Sequence, residues 1–193
     1  MSTSELTQPE RVAVARLQAM LELLPTALDR QLAAAGLTAF EFTLLEVLAE
    51  AEGQRLRLSA LATRTNATLA RLSRVVTSLE RKGLVERAPC AADARATNAV
   101  LTEAGVDVFQ QSRPLHTAVV RELVLAPLGG DDMAQLSRLM LAMLSRLDPA
   151  GRFGVTAVVG QCAADPVACP ADPVACPADP VPCSADPAAA KLG

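Results

Sequence analysis

The chain has no Trp, no Tyr and only four Phe among 193 residues, so aromatics make up 2% of it. Sandwiches and barrels draw on aromatic and β-branched residues, whereas the 51% hydrophobic content here is dominated by Leu, Ala and Val. A helix-rich core is therefore expected. Long apolar runs are also missing, since no stretch approaches the roughly 20 residues that span a bilayer. The polar opening MSTSELTQPE lacks the apolar centre of a secretion signal. These absences point to a soluble, cytoplasmic protein with no membrane partner. With one His, no G-x-S-x-G and no CxxC pair, the chain offers no set of nucleophile, base and orienting group. No enzyme activity, metal or cofactor is expected.

Positive charge is short as well, with a formal net of −3. That average conceals two unlike regions. Between Gly53 and Thr97 nine Arg and Lys face three Asp and Glu, a local net of +6, and the rest of the chain carries −9. Attraction for phosphate is local, reaching about one Debye length, ~8–10 Å. A basic middle in an acidic chain is thus compatible with nucleic acid.

From Pro9 to about Ala35, Val14, Leu17, Leu21, Leu24 and Leu28 recur at alternating spacings of three and four. This is a helix with a narrow apolar seam, which Pro25 should kink or divide, and Gly36 is its expected stop. Thr38 and Glu41 form a T-x-x-E capping box for a second helix with Phe40, Leu44, Val47 and Leu48 as its buried stripe. A short helix over Leu58–Arg64 and a turn at Thr65-Asn66-Ala67 follow. Thr68 is the expected N-cap of the next helix, which runs to Lys82 before Gly83. Its buried face is Leu72, Val75, Val76 and Leu79, and Arg71, Arg74, Ser78 and Arg81 line a different one. Strands are expected at Leu84–Ala88 and Thr97–Leu101, joined by a loop over Pro89–Ala96. Two helices joined by a tight turn and followed by a hairpin make a winged helix-turn-helix. Thr102 opens a further helix with Val106, Phe109, Val120 and Leu123 as apolar positions and a kink at Pro114. In the last helix Met133, Leu136, Met140, Met143 and Leu147 form a second narrow seam.

The second helix of a helix-turn-helix enters the DNA major groove with its N-terminal residues near the base edges. Here those residues are Thr68, Leu69, Ala70, Arg71, Ser73 and Arg74. An Arg contacts guanine bidentately, worth roughly 1–3 kcal/mol of discrimination, and Leu69 or Ala70 suits a thymine methyl instead. Arg81 and Lys82 at the far end suit a phosphate or the helix dipole. The alternative is an ordinary solvated arginine face, against which stand the turn before the helix and the hairpin after it.

Three short motifs carry a resemblance: LERKGLVER at Leu79–Arg87, the D-x-R of Asp93-Ala94-Arg95, and L-T-x-x-G at Leu101–Gly105. In this order and spacing, within residues 10–148, the chain resembles the MarR family of regulators. The resemblance implies a mainly α fold with a small β-wing. It divides the chain into an N-terminal dimerisation region (1–36), a winged helix-turn-helix domain (37–101) and C-terminal dimerisation helices (102–148). It also implies a homodimer on a pseudo-palindromic duplex, acting as a ligand-responsive repressor. Arg95 then inherits the wing contact in the minor groove, where A·T-rich tracts concentrate negative potential, and Asp93 supports it by holding a neighbouring Arg. The family's small phenolic or lipophilic effectors bind between the dimer helices and the DNA-binding lobe, a region that His116 would border.

His116 shares a stripe with Val120 and Leu123, so a packed structural role is the alternative to a ligand role. Cys90 in the wing, with Arg87 nearby to favour a thiolate, raises a thiol-responsive alternative. Beyond Pro149, Cys162, Cys169, Cys176 and Cys183 recur every seven residues in a C-P-A-D-P-V-A repeat. Repeated Asp-Pro rules out continuous helix, and residues 149–193 read as an extended, largely disordered tail. Tandem duplication of a short coding unit is the expected origin of this regularity, and a metal- or thiol-responsive sensor using these cysteines is the alternative function.

Overall fold

The computed structural model describes residues 5–90, 93–149 and 151; the cysteine-repeat tail lies outside them, as do the side chains of residues 93–95. The chain folds mainly into helices: α1 (Gln8–Leu32), α2 (Ala39–Glu50), α3 (Leu58–Arg64), α4 (Leu69–Arg81), α5 (Glu103–Val120) and α6 (Asp132–Leu147). Strands β1 (Arg55–Arg57), β2 (Val85–Cys90) and β3 (Asp93–Leu101) form an antiparallel sheet in the order β1-β3-β2. No single helix among the described residues is long and apolar enough to cross a membrane.

Local chemistry accounts for the helix limits. Thr7 and Glu10 cap α1 reciprocally, as Thr38 and Glu41 cap α2. Pro25, expected to kink or divide α1, does not divide it but lies inside one continuous helix, and Pro114, an expected kink, lies inside α5. Proline removes one helical donor, and next to the first gap the Thr26 hydroxyl donates to the Glu22 carbonyl at 2.9 Å. Past α5 the chain widens into a π-type turn over Arg121–Leu125, closed by the Ala126 N–H donating to the Arg121 carbonyl. Leu123, expected in the apolar stripe of α5, falls in this turn and is exposed. Between α1 and α2 the chain bends by 72° at Gly36, whose φ of +68° suits glycine.

The core lies under α4. Leu72, Val76 and Leu79 pack with Phe42, Leu44, Leu45 and Leu48 of α2, Leu61 of α3, and Leu56, Val85, Ala99 and Leu101 of the sheet. The buried face of α2 is thus turned from the expected one, because Phe42 and Leu45 are sealed while Phe40 and Val47 are half-buried. The strands run further than expected: β2 extends through Pro89 and Cys90, with an irregularity between them. Most of the expected 89–96 loop is therefore strand, and β1 is an addition. The L-T-x-x-G motif locks the sheet to α5. Thr102 Oγ1 accepts from the Gly105 N–H at 3.0 Å and donates to the Gly83 carbonyl at 2.8 Å. A side chain at Gly105 would overlap the Leu84 carbonyl oxygen.

Candidate nucleic-acid interface

The turn Thr65-Asn66-Ala67 launches α4 with Asn66 at a φ of +53° and Thr65 Oγ1 donating to the Leu61 carbonyl at 2.7 Å. Thr68 caps the helix by accepting from the Arg71 N–H at 3.3 Å. With Leu72, Val76 and Leu79 buried, 100° per residue puts Ala70, Arg74, Thr77 and Arg81 on the opposite, exposed face. Arg71 and Ser73 fall on the two flanks, and Leu69 is exposed beside Ser73.

The two flanks are held differently. On the α2 side, the Arg71 guanidinium lies 4.2 Å from the centre of the Phe40 ring, a cation–π contact. Further along this side, Lys82 Nζ reaches Glu41 Oε1 at 2.7 Å and the Gly36 carbonyl at 2.7 Å, and the Ser78 hydroxyl donates to Glu41 Oε1 at 3.0 Å. Lys82, expected to suit a phosphate or the helix dipole, is thus engaged in a clamp between α4 and the start of α2. Glu41 is 4% exposed. Burial alone would raise its carboxyl, but hydrogen bonds from Lys82, Thr38 and Ser78 outweigh that and hold it below 4.5.

On the wing side, Arg87 Nη2 donates to the Ser73 carbonyl at 3.0 Å and to the Ser73 and Thr77 hydroxyls at 3.2 Å each, while Nη1 meets Glu80 at 3.0 Å. This ties β2 to α4. Arg57 Nη2 lies 3.4 Å from the Cys90 sulfur. The Cys90 thiol is buried. Between wing and helix lies a cleft of about 400 Å³ lined by Arg57, Leu58, Ser59, Leu69, Ser73, Ala96 and Thr97. Arg57, Ser59 and Thr97 were missed as site residues, because only the strand pairing brings β1 and β3 beside α4. Asp93 and Arg95 stand at the start of β3, with their side chains outside the described residues.

His116 lies away from this surface. Its ring stacks on Phe42 at 4.3 Å, and Phe42 also meets Phe109 at 5.5 Å. Burial lowers the imidazole below its ordinary 6.5, and Glu46 works in the opposite sense. A separate cleft of about 150 Å³ between α1 and α5 is lined by Ala27, Arg30, Gln31, Val119, Glu122 and Leu123, without His116. No group of three or more metal-ligating side chains occurs among the described residues.

The fold is similar to that of known proteins. Residues 35–96 match the sequence model of the MarR family. Among solved structures, Sco3205, a MarR family transcriptional regulator from Streptomyces coelicolor in complex with DNA, is 34% identical with a TM-score of 0.73. That match covers 76% of this chain and 96% of Sco3205. AbsC, a MarR family transcriptional regulator from the same organism, gives the same identity and TM-score over 76% of this chain and 99% of its own. The M. tuberculosis transcriptional regulator MOSR, solved in complex with DNA, is 30% identical with a TM-score of 0.59, covering 72% of this chain and 96% of that one. No functionally curated protein matches the sequence. A winged helix-turn-helix with this degree of likeness to Sco3205 and AbsC belongs to the MarR family of transcriptional regulators.

Proposed function

We propose that the protein is a cytoplasmic, ligand-responsive repressor that binds a pseudo-palindromic DNA duplex as a homodimer. The observation that carries DNA recognition is the exposed face of α4, where Ala70, Arg74 and Arg81 project between two braced flanks. Sco3205 and MOSR, both solved with DNA, support the same use of the fold here. Arg74 and Arg71 are the base readers, with Thr68, Leu69, Ala70 and Ser73 beside them, and Arg95 enters the minor groove supported by Asp93. The Phe40 ring holds the Arg71 guanidinium out at the edge of the groove, so its reach is set before DNA arrives.

The dimer is supported by the outer helices. Met133, Leu139, Met140, Leu141, Met143 and Leu147 of α6 are exposed, as are Val14, Met20, Leu21 and Leu23 of α1. Concentrations of this kind mark association surfaces. Two copies would place their α4 helices about one helical turn apart, ~34–36 Å, on half-sites of one operator. An effector then releases DNA only by preferring the spacing that DNA does not tolerate, since equal affinity for both shifts nothing.

Selection from a random duplex pool tests this reading. The wild-type protein should return a two-fold symmetric motif. Arg74→Ala and Arg71→Ala should each flatten defined positions by about 1–3 kcal/mol, and Arg95→Ala should weaken A·T-flanked sites most. Identical motifs from all three variants would overturn the assignment of the readers.

A further inference from the structure

The two arginines assigned to base reading are restrained by different parts of the molecule. Arg74 bends back along α4, its Nε donating to the Ala70 carbonyl at 3.4 Å. Arg71, also exposed, leans off the helix and brings its guanidinium to 4.2 Å from the centre of the Phe40 ring on α2. We propose that Phe40 is a specificity-determining residue outside the reading helix, its ring penalising Arg71 for leaving the base it reads. The proposal rests on the reading that Arg71 contacts a base edge.

Phe40 is anchored for this task. Its side chain is half-buried and packs against the core. The backbone on either side is fixed as well: the Ala39 N–H donates to Asp29 Oδ1 of α1 at 2.6 Å, and Thr38 and Glu41 close the capping box of α2. Glu41 in turn meets Lys82 Nζ, just past the end of α4, at 2.7 Å. The ring thus has a set place relative to α4.

An aromatic ring takes up the face of a guanidinium, whereas the five N–H donors lie in its plane. Arg71 can therefore stack on Phe40 and still present a two-pronged edge to guanine. Opposite the wrong base, an unrestrained Arg swings to a neighbouring base or a phosphate and recovers part of the lost energy. A stacked Arg must first give up the ring. An exposed cation–π contact corresponds to a factor of about 2–5 in an equilibrium. That factor multiplies the discrimination, because specificity is a difference between two affinities. The stack is present both before binding and on the right base, so it adds little to affinity for the right site.

The experiment uses the full-length protein and the duplex it selects from a random pool. Arg71→Ala identifies the base pair that Arg71 reads, and a second duplex carries a mismatch at that pair alone. Phe40→Leu should leave affinity for the selected duplex nearly unchanged and bind the mismatched one about 2–5-fold more tightly. The penalty at the pair flattened by Arg74→Ala should stay as in the wild type. Phe40→Tyr keeps a ring and should restore full discrimination. In an Arg71→Ala background, Phe40→Leu should alter binding to neither duplex. Equal weakening of both duplexes by Phe40→Leu makes the ring merely structural and overturns the proposal, as does an unchanged ratio between them. Should Phe40→Leu melt early, Phe40→Met, also apolar and without a ring, is read in the same way. A wild-type motif from Arg71→Ala defeats the underlying assignment of Arg71 as a reader, and the role of Phe40 with it; the other adverse outcomes strike Phe40 alone.

Discussion

Leu44, Leu48, Leu72, Val76 and Leu79 are sealed from solvent in the DNA-binding lobe, whereas α6, sixteen residues long, buries none of its side chains. The two regions draw on the same apolar residues and differ in what they pack against. In the lobe, a helix closes on helices and a sheet within one chain. In the outer helices much of the apolar surface is uncovered among the described residues: Leu147 is 78% exposed and Leu139 53%. A seam can thus be legible in sequence as apolar periodicity and still say nothing about which chain completes it.

The largest effect should come from charging the unfinished region. Met140→Glu with Met143→Glu should yield a monomer in sedimentation, and losing the second half-site should lower operator affinity by about 10²–10⁴-fold. A double variant that keeps the wild-type mass breaks the comparison, because the outer helices would then need no second copy. Next comes the finished region. Leu72→Ala should cost about 2–5 kcal/mol in urea unfolding through lost transfer energy and a cavity. Leu147→Ala, made in the monomeric double variant, should stay within about 0.5 kcal/mol. Equal costs at the two positions would erase the distinction.

A smaller effect concerns pH. The Glu41 carboxyl is lowered in the fold, so the stability it contributes is present above 4.5 and lost as pH falls through the lower folded value. Glu41→Gln should flatten the acid limb of the stability curve, and an unaltered limb would remove Glu41 from the clamp. His116 should give the smallest change. Its imidazole is lowered by burial, chiefly, against the opposing influence of Glu46. Stability should therefore be full above 6.5 and decline as pH falls toward the lower folded value, because the unfolded chain takes up the proton first. His116→Gln should remove that slope, and persistence of the slope would place its origin elsewhere.

What could be read from the sequence was mostly local. The limits of α3 and the Thr68 cap follow from neighbouring residues, and both stand as expected. The buried stripe of α4 was legible because most of the positions around Leu72, Val76 and Leu79 are polar. On α2 the stripe was read a little off, since apolar residues surround most of Ala39–Glu50 and Phe42 and Leu45 do not stand out. β1 has three residues, too few for alternation to register. The Lys82–Glu41 clamp spans 41 positions, and the Arg57–Cys90 contact 33. Such pairs follow from tertiary closure, which no short window contains. The same holds for the cleft beside α4, whose walls come from four separate elements.

Lys82 grips the Gly36 carbonyl at the corner where α1 gives way to α2, which makes that corner a fulcrum for the reading helix. The 13 residues of α4 span about 20 Å, with Lys82 clamped just past one end and Leu72 sealed in the core near the other. A tilt of about 10° at the corner would swing the Thr68 end by about 3.5 Å, close to the ~3.4 Å between successive bases on one strand. If α4 reads DNA as proposed, a tilt of that size would carry Arg71 and Arg74 along the duplex by about one base.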